Sequence, residues 1–70
     1  MRYEVEVIIP NPLDEKTRQF LNAVRSSANR VVRFRGDGRS TMVTVRVDGV
    51  MKDDAVRAAA REIASIFSQQ

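Results

Sequence analysis

The stretch that decides the fold is residues 2–16, with the sequence RYEVEVIIPNPLDEK. Up to Ile9 its residues alternate between two faces, and this period of two predicts a β-strand with one buried face. One face carries Tyr3, Val5, Val7 and Ile9, and the other carries Arg2, Glu4, Glu6 and Ile8. Pro10 and Pro12 cannot donate ladder hydrogen bonds, so the strand is expected to end there. Asn11 is the predicted N-cap and Pro12 the first residue of a helix that follows with almost no loop.

Length and composition predict one small domain, residues 1–70, that relies on another chain for part of its stability. A core of this size is marginal, and such domains usually depend on a disulfide, a metal or oligomerisation. The sequence has no cysteine and no histidine, which leaves oligomerisation. The lack of cysteine fits a reducing compartment. Since no signal peptide or membrane-spanning run is evident, we expect a cytoplasmic protein.

The remainder of the chain predicts a helix, two strands and a second helix. Apolar residues recur every three or four positions over residues 12–28, which predicts the first helix. Residues 30–35 and 41–48 alternate as strands, joined by a hairpin at Gly36-Asp37-Gly38 whose two glycines can adopt positive φ. In the first of these strands, one side is expected to carry Val32 and Phe34 and the other Val31, Arg33 and Arg35. In the second, the inward side is expected to carry Val43, Val45 and Val47.

The last predicted element is a helix over residues 52–68, with Asp53 and Asp54 near its positive N-terminal end. Its predicted core face consists of Val56, Ala59, Ala60, Ile63 and Phe67. Further apolar residues, among them Ala55, Ala58 and Ile66, exceed what one stripe requires. The small residues at positions 58–60 would let another backbone approach closely. This surplus suggests a second contact surface, although a good helix former packed on the sheet also explains the alanines.

The order strand-helix-strand-strand-helix predicts an α+β fold, a ferredoxin-like domain that lacks the fourth strand. We expect a three-stranded sheet in the spatial order first, third, second, with both helices on one face. Because strand-helix-strand crossovers are right-handed, the first and third strands are expected to be parallel neighbours, unless the first strand pairs with the second.

The first strand is therefore expected to have an open edge. An edge of this length invites pairing with another chain, and a two-fold dimer would form a continuous six-stranded sheet. The alternative is that Pro10, Glu4 and Glu6 protect the edge and the domain stays monomeric. We favour the dimer because the core is small.

The sequence gives little support to catalysis, and we expect a non-enzymatic protein with no cofactor and no metal. The usual acid-base residue, metal ligands and thiol nucleophile are missing. Asp53 and Asp54 are adjacent on a helix, point about 100° apart and do not share a site. The serines have no base to activate them.

Ten of the twelve basic residues are arginine, and the formal net charge is +3. A basic stripe over the open sheet face and hairpin would track phosphates, and its candidate residues are Arg30, Arg33, Arg35, Arg39 and Arg46. An RNA-recognition motif is not supported, because the outward strand positions lack aromatic residues. A cross-strand ladder, in which Glu4 and Glu6 offset Arg33 and Arg46, is the interpretation we favour over direct nucleic-acid binding.

Two segments, VIIPNPLDEKTRQFLNAV and VRVDGVMKDDAVRAAAREIASIF, resemble the small dimerising Pcc subunit of the KEOPS complex. With the hairpin between them, the resemblance covers nearly the whole chain, and its order and spacing are more specific than its individual motifs. Where members of that family often carry Leu-Arg and then Asn in the last helix, this chain has Val56-Arg57 and Arg61.

The resemblance implies a subunit that is not a catalyst. It implies dimerisation through the sheet, docking on the Kae-type catalytic subunit, and help in holding transfer RNA during threonylcarbamoylation of an adenosine. The implied dimer edge is Tyr3, Glu4, Val5, Glu6, Val7, Ile8 and Ile9. The implied docking residues are Leu13, Lys16, Val56, Arg57, Ala60 and Arg61. Some archaea carry a second, diverged copy, so the partner is either an identical chain or such a paralogue. The alternative function is a stand-alone nucleic-acid-binding domain that uses Arg33, Arg35, Arg39 and Arg46.

Overall fold

The helices and strands follow one another in the order that the sequence predicts. The computed structural model describes residues 1–27, 30–49 and 51–68. The elements are β1 (Arg2–Ile9), α1 (Glu15–Ser27), β2 (Val31–Gly36), β3 (Thr41–Asp48) and α2 (Lys52–Ser68). The α+β class is confirmed, while the predicted last residue of the first helix, residue 28, lies outside the described residues.

The three strands form one sheet in the order β1-β3-β2, as predicted. Both pairs are antiparallel, so the prediction that the first and third strands are parallel is wrong. The crossover through α1 returns the chain so that β2 runs parallel to β1. The tight hairpin then reverses the direction once more, and β3, inserted between the two, runs antiparallel to both. A strand entering by a hairpin cannot be parallel to the strand that precedes the crossover.

The core lies between the sheet and the two helices, which pack on the same face. Leu21 of α1 and Val43 and Val45 of β3 are completely buried, in one cluster with side chains of α2. The other buried members of this cluster are Val31, Ala59, Ile63 and Ile66. From β1, by contrast, the inward residues are only partly buried. Its core face is covered less completely than that of the central strand.

A β-bulge in β2 changes which side chains face the core. The register shifts between Val31, which lies opposite Val45, and Arg33, which lies opposite Thr44. The extra residue places Val31 and Phe34 on the same, core-facing side, although strict alternation separates them. Val31 is 3% exposed and Phe34 packs against the core. The predicted grouping of Val31 with the two arginines is therefore wrong.

The first helix begins later than predicted, because Asp14 and not Asn11 is its N-cap. The Thr17 backbone N–H donates a 2.8 Å hydrogen bond to Asp14 Oδ1, and the Asp14 carbonyl accepts the Arg18 N–H at 2.9 Å. Asn11 instead forms a turn, in which its N–H donates to the carbonyl of Ile9 at 2.8 Å. Its own carbonyl accepts the hydroxyl of Thr41, a residue that is 1% exposed. Asn11 thus ties the strand exit to β3 before the helix starts.

The two glycines of the hairpin have different structural roles. Gly38 has a φ of +91°, which glycine adopts without strain. A side chain on Gly36 would instead place its Cβ 2.6 Å from the Cβ of Leu13. Gly36 is thus required by the close approach of the segment that leads into α1. Asp37 closes the turn, because its Oδ1 accepts hydrogen bonds from the backbone N–H groups of Arg39 and Ser40 at 3.0 and 2.9 Å.

The second helix has the predicted bounds, but its buried face lies nearer to Ala55 and Ile66 than predicted. The fully buried positions are Ala55, Ala59, Ile63 and Ile66. Val56 is 45% exposed and Ala60 is also exposed, so their predicted place in the core is wrong. The start of the helix also packs closely on the chain before it, since a Cβ on Gly49 would lie 3.3 Å from the Ala55 nitrogen.

Acid should weaken the fold through Asp14 and Asp37. Hydrogen bonds from the Thr17 side chain and backbone N–H lower the pKa of Asp14, and those from the N–H groups of Arg39 and Ser40 lower the pKa of Asp37. A lowered native pKa contributes stability above the unfolded value of about 4, which is lost as the pH falls through the native pKa. We expect Asp14→Asn with Asp37→Asn to reduce the loss of stability between about pH 6 and about pH 3, measured by urea unfolding.

The matched controls are the single variants Asp14→Asn and Asp37→Asn, each of which keeps one of the two hydrogen-bonded carboxylates. Each should retain part of the wild-type response to acid. A double variant that responds to acid as strongly as the wild type would contradict the assignment to these two carboxylates.

Candidate interaction site

The outer edge of β1 is a regular row of backbone groups without a strand beside it in the described part of the chain. Just before β1, Met1 and Gly49 exchange two hydrogen bonds, at 2.9 and 3.1 Å. Bonded and non-bonded pairs alternate along an antiparallel ladder. Tyr3, Val5 and Val7 therefore bond to β3, whereas the N–H and C=O groups of Arg2, Glu4, Glu6 and Ile8 point to the open edge.

An independent hydrogen bond supports this assignment. The Arg46 N–H donates to the carbonyl of Arg30 at 2.7 Å, on the β2 side of β3. Glu4, which lies opposite Arg46, consequently makes no ladder bond with it. The residues that offer backbone groups at the edge are thus the same residues whose side chains lie on the open face of the sheet.

The two edges of the sheet differ in their fitness for pairing. The edge strand β1 pairs with β3 in unbroken register over its whole length, from Arg2 to Ile9. The strand β2 is shorter and is interrupted by the bulge after Val31. Bulges and charged side chains disfavour strand addition, whereas a long flat edge invites it. The predicted dimer-edge residues, Tyr3 to Ile9, lie consecutively on the more suitable edge, and Ile8 is 66% exposed.

Ion pairs cover the open face of the sheet and match the predicted ladder in part. Glu4 offsets both Arg33 and Arg46, as the ladder requires, but Glu6 pairs with Arg35, which the prediction did not include. The Glu4 carboxylate lies 3.4 Å from Arg46 and 3.7 Å from Arg33. Glu6 pairs with Arg35 at 3.4 Å, and Arg2 with Asp48 at 3.9 Å. Three residues of the predicted basic stripe, Arg33, Arg35 and Arg46, are therefore ion-paired with Glu4 or Glu6.

The two remaining candidates for the basic stripe lie away from the ladder. Arg30 reaches across to α2, where its guanidinium lies 2.8 Å from the Glu62 carboxylate. Arg39 lies exposed at the hairpin tip. The predicted nucleic-acid residues are therefore spread over the sheet face and the hairpin, and most of them face a carboxylate.

The candidate docking residues form two separate groups. Val56, Arg57, Ala60 and Arg61 are all exposed along one side of α2. Leu13 and Lys16 lie where α1 begins, next to the end of β1, and Leu13 packs against the core. Since α2 begins after Gly49, which pairs with Met1 before the start of β1, the two helix starts lie at opposite ends of the sheet.

Comparison of the chain with models of protein families, with curated proteins and with solved structures found no match. The functional proposal below is therefore supported by the geometry of the β1 edge and by the resemblance of the two quoted segments to the Pcc subunit.

The other surface features of the described residues do not bring reactive side chains together at one point. No group of three potential metal ligands occurs among residues 1–27, 30–49 and 51–68. In the same ranges, no helix is both long enough and apolar enough to cross a membrane. An open cleft of about 230 Å³ lies between α2 and the sheet. It is lined by Arg30, Arg46, Val47, Asp48, Ala58 and Glu62, whose charges are of both signs.

The sequence predicts that the first strand lies at an edge, but it does not predict which of its N–H and C=O groups point outward. That property follows from the antiparallel direction of β3, which the sequence prediction assigned incorrectly. The pair between Arg2 and Asp48 was also missed, because its only signal is the register of two distant strands.

The ladder should contribute modestly to stability. We expect a double-mutant cycle with Glu4→Gln and Arg46→Gln to give a coupling of about 0.2–1 kcal/mol, because both side chains are more than 40% exposed. Urea unfolding at low and high salt measures it, and the coupling should shrink with added salt. The matched control pairs Glu4→Gln with Arg39→Gln, for which no coupling is expected. Equal coupling in both cycles would contradict a specific pair.

Proposed function

We propose that this chain is a non-catalytic interaction subunit that pairs with a second chain through the outer edge of β1. The observation that carries the proposal is the unbroken row of outward N–H and C=O groups on Arg2, Glu4, Glu6 and Ile8. Each backbone hydrogen bond formed there contributes about 0.5–1.5 kcal/mol net. Pairing two such edges with a two-fold axis extends the sheet to six strands and places both helix layers on one face.

The incomplete burial of β1 supports the same proposal. The inward residues Tyr3, Val5, Val7 and Ile9 are only half-buried, whereas Thr41, Val43 and Val45 of the central strand are buried. A neighbouring strand covers the flank of these side chains as well as the backbone edge. The apolar surface of β1 that remains accessible in the single chain then becomes part of a larger core.

We propose further that the complex is of the KEOPS type, in which the subunit supports threonylcarbamoyladenosine formation in transfer RNA. This part rests on the resemblance of the two quoted segments to the Pcc subunit. The subunit would act in the cytoplasm and dock on a Kae-type catalytic subunit through the exposed side of α2. Val56 and Ala60 supply accessible apolar surface there, flanked by the exposed cations of Arg57 and Arg61.

The ion-pair ladder favours this proposal over the alternative of a stand-alone nucleic-acid-binding domain. Phosphate binding is strongest when several arginines are free to replace counterions. Here Arg33, Arg35 and Arg46 each lie within 4 Å of a carboxylate. A steep salt dependence of RNA binding by the isolated chain would favour the alternative function.

A proline at an outward position of β1 should block pairing and spare the fold. Glu6→Pro removes an N–H that points to the open edge, a position where strands tolerate proline. We expect this variant to remain folded by circular dichroism and to lose self-association, measured by sedimentation over a range of protein concentrations. The matched control is Glu6→Ala, which loses the same carboxylate but keeps the N–H. Equal association of the two variants would contradict edge pairing.

A charge on the exposed side of α2 should impair docking. We expect Val56→Asp with Ala60→Asp to weaken binding to a Kae-type catalytic subunit by about tenfold or more, since both would bury a carboxylate in the contact. Calorimetric titration measures this affinity. The control is Asn22→Asp, which adds a carboxylate at an exposed position on α1, away from this surface. If the double variant binds as tightly as the wild type, the docking surface does not include this side of α2.

A further inference from the structure

The side chains beside the open edge restrict which strand pairs well with it. In a two-fold antiparallel pair, residues opposite each other lie on the same face of the sheet. The outward residues of one β1 therefore meet the outward residues of its neighbour, and these are Arg2, Glu4, Glu6 and Ile8. Their exposed side chains would lie directly at the seam.

An identical strand brings glutamates together in the registers that pair most of β1. When the axis passes through Val5, residues 2–8 of both strands pair, and Glu4 meets Glu6 of the second copy twice. When the axis passes through Glu6, residues 3–9 pair, and the two Glu6 residues meet. A shift to an axis at Val7 avoids this contact, but it leaves residues 2–4 unpaired. An axis at Glu4 sets Arg2 against Glu6 twice, but it pairs only residues 2–6 of the two strands and still brings the two Glu4 residues together. Like charges directly opposite each other destabilise a strand pair.

The ladder shows how charge is arranged on this face. The cations of β3 and β2 face the anions of β1, with Arg46 beside Glu4 at 3.4 Å and Arg35 reaching Glu6 at 3.4 Å. The charges at the edge of the face are Arg2 near its start and the two glutamates at its centre. The glutamate side chains are 43% and 45% exposed, which leaves room for a further donor. A basic side chain opposite each glutamate would place cations on both sides of these anions.

We infer that the preferred partner of the β1 edge is a protein strand with lysine or arginine opposite Glu4 and Glu6, and not a second identical copy. The inference rests on the proposed edge pairing and names the chemistry of the partner. The open backbone groups supply affinity to any strand, whereas the two glutamates select among strands. Discrimination arises because two like-charged contacts are replaced by two oppositely charged ones.

A charge-inverted version of the same chain provides the probe. The variant Glu4→Lys, Glu6→Lys, Arg33→Glu, Arg35→Glu and Arg46→Glu keeps the ion pairs of Glu4 and Glu6 with reversed sign. Mixed with the wild type in the register centred on Val5, it sets a lysine against each glutamate. We expect the mixed pair to form about tenfold more tightly than the wild-type homodimer, with a difference that shrinks at high salt. Sedimentation of one labelled chain with each unlabelled chain measures both affinities.

Two controls separate the possible outcomes. Glu6→Pro in the wild-type chain should abolish the mixed pair, whereas Glu6→Ala should retain an association. A wild-type homodimer as tight as the mixed pair, and sensitive to Glu6→Pro, would overturn the charge preference and leave edge pairing intact. Absence of association in every mixture, or association insensitive to Glu6→Pro, would overturn both proposals.

A second variant tests the preference if the charge-inverted chain does not fold. Glu4→Gln with Glu6→Gln removes the repulsion at the seam without adding charge. It should self-associate more tightly than the wild type at low salt. Self-association that is equal or weaker would contradict the inference.

Discussion

The antiparallel pairing of β1 with β3 is the interaction on which the rest of the structure depends. It brings together the first strand, which leads into α1, and the last strand, which leads into α2. The central strand thereby has a neighbour on each side, and its residues Thr41, Val43, Thr44 and Val45 are all buried. The helices pack on different outer strands, α2 on β1 and α1 on β2, so the pairing of both strands with β3 brings the helices to one core. Among the described residues, each outer strand has one neighbour in the sheet.

The arrangement separates affinity from selectivity at the candidate site. The backbone of β1 offers hydrogen-bonding groups that are the same in any strand, while the side chains on the open face depend on the sequence. Both contributions come from the same alternate residues, so a proline there removes the N–H together with the side chain, whereas other substitutions change the side chain alone. On this face Glu4 lies between cations of both of the other strands.

Local patterns were sufficient to predict the order of the elements, the bounds of the first and third strands, and the two arginines beside Glu4. They did not predict the pairs of Glu6 with Arg35 and of Arg2 with Asp48, which depend on the register of distant strands. They could not predict the bulge in β2, because Val31 and Val32 are equally apolar and only packing decides which enters the core.

The start of α1 was placed too early because Asn11 and Asp14 are both good caps. Tertiary contact with Thr41 decides between them. The buried face of α2 is likewise decided by packing on the sheet, because Ala55 and Val56 are both apolar and only Ala55 is buried.

The two borders of the sheet differ in a way that bears on the size of the proposed assembly. A molecule with two regular borders can add neighbours indefinitely and form a fibre. In this chain the irregularity after Val31 makes the β2 border a poor template. If β1 pairs as proposed, growth would stop once that border is occupied, and the bulge that brings Val31 into the interior would favour a closed complex over an endless ribbon.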